Sequence, residues 1–83
     1  MEGLNNMFLH IGADLSVPVQ DIALILDCEN GMSEITREAL NALKSADAGD
    51  MRRSVVLTPG MAYYSPISKS TLRKRLRRLS ELM

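Results

Sequence analysis

With 83 residues, 46% of them hydrophobic and 24% charged, the chain has room for one domain and not two. Its single cysteine, Cys28, excludes an intramolecular disulfide and leaves any metal site without the usual thiolate pair. The net charge of zero hides a dipolar chain: residues 1–50 carry nine acids against two bases, net −7, and residues 51–83 carry eight bases against one acid, net +7.

That asymmetry points to a polyanion partner for the basic half, or to head-to-tail contact between subunits. A domain this small buries only roughly 60–65% of the surface its unfolded chain exposes. With no covalent staple, self-association is expected. Residues 1–6 carry Glu2 and no basic segment of a secretory signal, and read as a short tail ahead of a single domain over 7–83. The longest apolar run, Ile22 to Leu26, falls far short of the ~18 residues a membrane span needs, so no membrane partner is expected. A lone cysteine suits a reducing cytoplasm.

In chain order, Met7 to Ile11 predicts a first strand, and Gly12-Ala13-Asp14 a turn. Leu15 to Val19 is a short extended stretch that Pro18 confines to an edge or a strand end. Asp21 to Asp27 encloses a continuous apolar run and predicts a central strand. After Asn30-Gly31, Ser33 is a plausible N-cap with Glu34 in the first turn, and a helix is expected from about 34 to 45. Its apolar face would be Ile35, Ala39, Ala42, Leu43 and Ala46, and the polar residues 47–50 would form a loop. Ser54 to Leu57 and Met61 to Tyr64 flank Thr58-Pro59-Gly60, a hairpin signal in which Pro presets one dihedral and Gly permits a positive one. Consecutive tyrosines on a strand face opposite ways, so one of Tyr63 and Tyr64 is expected inward and the other outward. Ser68 or Ser70 would cap a last helix over about 71–83, with Leu72, Leu76, Leu79 and Met83 as its apolar stripe. The order ββαββα predicts a small α+β domain with a mostly antiparallel sheet and two helices.

The basic C-terminal helix is the most prominent functional signal. Arg73, Lys74, Arg75, Arg77 and Arg78 crowd five cations into six positions. Like charges at i, i+4 disfavour an isolated helix by a few tenths of a kcal/mol per pair, and phosphates would relieve that repulsion while releasing counterions. A solvated face, or docking on an acidic protein surface, is the alternative use of the same helix. Arg52 and Arg53, at a strand entry, can clamp phosphates with their planar forks, or form salt bridges with Asp47 or Asp50. With Lys69 they complete a candidate DNA-binding set: Arg52, Arg53, Lys69, Arg73, Lys74, Arg75, Arg77 and Arg78. Only Phe8, Tyr63 and Tyr64 are aromatic, which favours duplex over single-stranded nucleic acid.

Catalytic signals are weak. His10 and Cys28 are the only obvious base–nucleophile pair; His10 sits within an apolar strand and Cys28 just after one, where packing is the ordinary role. Asp27, Glu29 and Glu38 imitate a calcium loop loosely, with Gly31 one position early. No phosphate-cradling glycine loop and no HExxH, CxxC or GxSxG is present. The chain therefore reads as a binding protein and not an enzyme, with no catalytic residue, metal or cofactor and no evident small-molecule substrate.

Met7 to Gly12, then Val19-Gln20-Asp21-Ile22 entering the apolar strand, then Tyr63 to Arg75 form a pattern that resembles the RemA/RemB family of bacterial extracellular-matrix (biofilm) regulators, nearer the RemB branch. The resemblance implies a cytoplasmic DNA-binding transcriptional regulator of matrix and osmoprotection genes, assembled as a ring-like homo-oligomer that displays arginines to DNA. The arginines important in the RemA branch lie just ahead of the strand that opens at Ser54, and Arg52 and Arg53 are their nearest match. Ungapped alignment back from Val55 would put that pair at Asp50 and Met51, so the match requires a small gap. The basic helix beyond Arg75 extends past shorter family members. The alternative reading is a non-enzymatic interaction or scaffold module whose basic helix binds an acidic protein.

Overall fold

Two sheets and two helices build the domain in the computed structural model, which describes residues 7–81. The six-residue tail expected at the N-terminus and the last two residues of the expected C-terminal helix, Met83 included, lie outside the described residues.

Strand β1, Phe8–Gly12, and strand β2, Leu15–Pro18, form an antiparallel pair in which Leu9 faces Val17. The chain reverses through Gly12 at φ 136° and Ala13 at φ 45°, a left-handed reversal of the kind glycine supplies most cheaply. Pro18 ends β2, and one 3-10 turn, Val19–Asp21, leads to β3, Leu24–Asp27.

Helix α1, Glu34–Asn41, begins at Ser33, whose hydroxyl accepts the Thr36 N–H at 3.1 Å. Then come β4, Lys44–Asp47, β5, Ser54–Thr58, β6, Met61–Ser65, and helix α2, Lys69–Glu81. The second sheet has the order β3-β5-β6-β4. All its pairings are antiparallel except β4 with β6, so α1 carries the chain from one edge of the sheet to the other. The element order is thus βββαβββα, an α+β domain. In the hairpin from β5 to β6, Thr58 pairs directly with Met61 across Pro59-Gly60, and Gly60 takes φ 82° as the turn requires.

Four boundaries differ from expectation. The stretch Leu15–Pro18 is a full strand. Helix α1 stops at Asn41 instead of running to about 45. Residues 44–47 form β4 where helix end and loop were expected: the edge strand's backbone pairs with β6 although only Ala46 on it is even half-buried. Helix α2 starts at Lys69, two residues early, because Ser68 is the cap, accepting the Thr71 N–H at 3.3 Å.

The four-stranded sheet is covered on both faces. One core gathers Leu9, Ile11, Val17, Ala48, Val56 and Leu72, joining the β1–β2 hairpin and α2 to one face. The other gathers Leu40, Val55, Ala62 and Tyr64 under α1. Neither tyrosine faces outward: Tyr64 is buried on the α1 side, while Tyr63 is half-buried against the α2 side. The buried side of α1 also differs from the expected face. Leu40 and the following Leu43 point inward, whereas Ile35, Ala39 and Ala42 are exposed and Ala46 belongs to β4.

The two sheets meet at Ser65. Its fully buried hydroxyl donates to the Ile11 carbonyl at 2.6 Å and accepts the Ile67 N–H at 3.0 Å. Beside it, a Cβ on Gly12 would lie 2.8 Å from the Ala48 carbonyl oxygen and 2.9 Å from Pro66 Cδ, so only glycine allows this approach. Ser65→Ala leaves a buried carbonyl and a half-buried N–H without partners, and is expected to cost about 1–3 kcal/mol. The shift in the urea midpoint measures that cost, and an unchanged midpoint would show that the junction does not depend on this hydroxyl.

Candidate nucleic-acid interface

The eight candidate cations fall into two groups. Arg52 and Arg53 sit on the segment that joins β4 to β5 and are placed by it. The Arg53 N–H donates to the Ser65 carbonyl at 2.8 Å and its carbonyl accepts the Cys28 N–H at 3.0 Å, which fixes the backbone at the entry to β5.

The two side chains then find different carboxylates. Arg52 grips Asp47 with a planar fork, Nε to Oδ1 at 2.7 Å and Nη2 to Oδ2 at 3.0 Å. Its guanidinium carbon lies 3.9 Å from the centroid of the Tyr64 ring, a cation–π contact. Arg53 donates from Nε to Glu29 Oε2 at 3.0 Å. The Arg52–Asp47 pair was among the sequence expectations. The Arg53–Glu29 pair was not, because it joins residues 24 apart and depends on the antiparallel register that sets Asp27 opposite Ser54.

Both arginine side chains remain about half exposed, 51% for Arg52 and 43% for Arg53, so each presents donors to solvent beside a carboxylate. The Arg52 hydrogen bond holds the Asp47 carboxyl below its usual range, and Asp47 in turn raises Arg52. Asp27 is lowered as well, first by the Glu29 N–H and then by the Asn30 side chain.

The cations of α2 are arranged by the leucine stripe. Leu72 is fully buried, and Leu76 and Leu79 are half-buried beside it. At helical spacing this puts Lys69, Arg73 and Arg77 on the flank toward β3, where they border a groove whose apolar side is Ile22, Ile25 and Leu76. Lys74 and Arg78 point away from the sheet, both exposed. Arg75 lies on the opposite flank and donates from Nη1 to the His10 carbonyl at 3.1 Å. Among the described residues, none of these helix cations has a carboxylate within ion-pair distance.

The structure does not bring the other chemical candidates together. His10 is exposed, its Nε2 2.8 Å from the Ala13 carbonyl oxygen on the β1–β2 turn. Cys28 belongs to the cluster on the α1 face, where burial pushes its thiol up. Asp27 is occupied by the Glu29 N–H and the Asn30 amide as a local turn. Among the described residues no helix is long and apolar enough to cross a membrane.

The geometry defines a small three-layered α+β domain with an arginine pair at one strand entry and a cationic helix packed across one sheet face. Residues 8–76 match the RemA-like family, described as extracellular matrix regulatory protein A-like. The chain is also 37% identical over 79 residues to extracellular matrix regulatory protein B of Bacillus subtilis (strain 168), an alignment covering 92% of this chain and 98% of that protein. The chain belongs to the RemA-like family of extracellular matrix regulatory proteins.

The lowered Asp47 carboxyl has a consequence for acid stability. A depressed folded-state pKa contributes stability that is fully present above the ordinary carboxylate value, about 3.9, and is lost as pH falls through the folded value. Below about pH 4 the urea midpoint of the native chain should therefore fall faster than that of Asp47→Asn. Parallel curves for the two proteins would show that the Arg52 fork contributes nothing to the fold.

Proposed function

We propose that this chain is a DNA-binding transcriptional regulator of extracellular-matrix genes that acts in the cytoplasm by binding and not by catalysis. It works as a ring-like homo-oligomer. Arginines contact the phosphates of duplex DNA, and each subunit reads little base sequence. Family membership supports the regulatory role, since the related Bacillus subtilis protein bears the name of an extracellular matrix regulator.

The observation that carries the DNA reading is the cationic face of α2, which has no carboxylate partner among the described residues. Lys74 and Arg78 are its outward pair, and Arg52 and Arg53 add two half-exposed guanidiniums. Exposed ion pairs of this kind are worth at most about 1 kcal/mol, so a phosphate can replace the carboxylate at little cost. The planar fork that Arg52 offers Asp47 is the one a phosphate accepts. With few phosphates reached by each subunit, affinity comes from several copies on one duplex.

The test is fluorescence anisotropy with a labelled random-sequence duplex over a salt series. The native chain should show a steep fall of log K with log salt. Arg52→Ala/Arg53→Ala or Lys74→Ala/Arg78→Ala should weaken binding at least tenfold and flatten that slope, by about 0.9 for each phosphate no longer neutralised. No binding at low salt by the folded chain would overturn the reading in favour of an acidic protein partner.

The carboxylates give a second, opposite test. Glu29→Gln and Asp47→Asn remove the groups that compete with phosphate, so duplex affinity should rise several-fold. A fall would mean that these carboxylates position the arginines for DNA and do not compete with it.

A further inference from the structure

We infer that the exposed apolar stripe of α1 docks head to tail into the groove between β3 and α2 of a second copy of this chain. The inference rests on the self-assembly part of the reading above and names the two surfaces that meet.

The first surface is Ile35 with Ala39 and Ala42. Ile35 is 81% exposed, an unusual position for a large hydrophobic residue on a helix whose other side is buried. At helical spacing the three residues form one strip, and Glu34 and Glu38 run along the side of it away from the core. Arg37 points elsewhere on the wheel.

The second surface is its complement. The β3–α2 groove, about 540 Å³, has Ile22, Ile25 and Leu76 on its apolar side. Lys69, Arg73 and Arg77 run along one wall. That row spans nine residues of helix, about 13 Å, close to the roughly 12 Å length of the eight-residue α1. Each surface is thus an apolar strip bordered by charge, acidic on α1 and basic on α2. A second α1 would neutralise a row of cations that repel one another at i, i+4.

The two surfaces sit on opposite faces of the β3-β5-β6-β4 sheet, α1 over Val55 and Tyr64, α2 over Val56. One copy can therefore offer its stripe and receive another at the same time. A contact between two different surfaces is heterologous, and such contacts propagate into closed rings or open filaments. Lys69, Arg73 and Arg77 then belong to the contact between copies, which leaves the phosphates to Arg52, Arg53, Lys74 and Arg78.

The experiment is a charge exchange on the full chain, with mass read by light scattering on a sizing column in the absence of DNA. Glu34→Arg/Glu38→Arg makes both surfaces basic, and Arg73→Glu/Arg77→Glu makes both acidic. Each variant alone should fall to the mass of one chain, 9.2 kDa. Mixed in equal amounts they should reassemble, because the groove of one now suits the helix of the other. Ile35→Ser, at a position that contributes little to the monomer core, should lose assembly with an unchanged circular dichroism spectrum. Single variants that keep the native mass, a mixture that stays monomeric, an Ile35→Ser chain that still assembles, or a native chain that is itself monomeric would each overturn the inference. Duplex binding is read separately. A chain that assembles through these surfaces without binding DNA overturns only the DNA reading, and one that binds DNA but assembles elsewhere overturns only this one.

Discussion

The Ser65 hydroxyl, between the Ile11 carbonyl and the Ile67 N–H, is the point on which the arrangement turns. It is the last residue of β6, so it links the four-stranded sheet to the β1–β2 hairpin and to the segment that launches α2. Pro66 completes the junction: Gly12 and Gly49 both approach its ring so closely that a Cβ on either would come within 2.9 Å of it. The Ser65 carbonyl accepts the Arg53 N–H, so the same residue also sets the backbone at the arginine pair. One buried hydroxyl and its neighbours thus place the cationic helix and the loop arginines relative to one another.

A second constraint follows from size. The four-stranded sheet could have left one face to solvent, as antiparallel sheets often do. Here both faces are covered, the hairpin and α2 on one and α1 on the other. In so short a chain the covering elements are themselves thin. Helix α1 has eight residues and commits only Leu40 to full burial. Its remaining apolar residues have no place in its own core, which is why Ile35, Ala39 and Ala42 reach the surface.

Local chemistry was legible in the sequence wherever one residue type settles the backbone. Pro59-Gly60 specified the hairpin, Ser33 specified the start of α1, and the leucines of α2 specified which side is buried, while Ser68 was one of two candidate caps for α2. What escaped was set by distant parts of the chain. Lys44-Ser45-Ala46-Asp47 has no strand pattern, because its strand is made by backbone pairing with β6 and buries almost nothing. The buried side of α1 escaped because its apolar residues are distributed over two sides, and only the sheet beneath decides which is covered. At the candidate site, the set of cations was plain, and so was the Arg52–Asp47 pair five residues apart. The tie from Arg53 to Glu29 depends on the pairing of β3 with β5, which no local pattern reports.

The dipolar charge of the chain acquires a spatial meaning in this fold. The acids are spread over α1, β4 and the β3–α1 connection, while the bases concentrate on α2 and at the entry to β5. Intramolecular pairing uses Asp47 and Glu29 for Arg52 and Arg53, and leaves α2 without a carboxylate partner among the described residues. The α1 carboxylates do not meet those cations within one chain, because the sheet stands between the two helices. The fold therefore separates two surfaces of opposite charge that would otherwise neutralise each other, and unsatisfied charge on both favours partners over isolation. Because α2 has cations on several sides, contact with another protein along its β3 flank need not compete with contact to phosphate on its outward face. Under the proposed function, assembly and polyanion binding would reinforce one another: each added copy would bring another outward pair to the same duplex, and effective concentration, more than any single contact, would set the affinity.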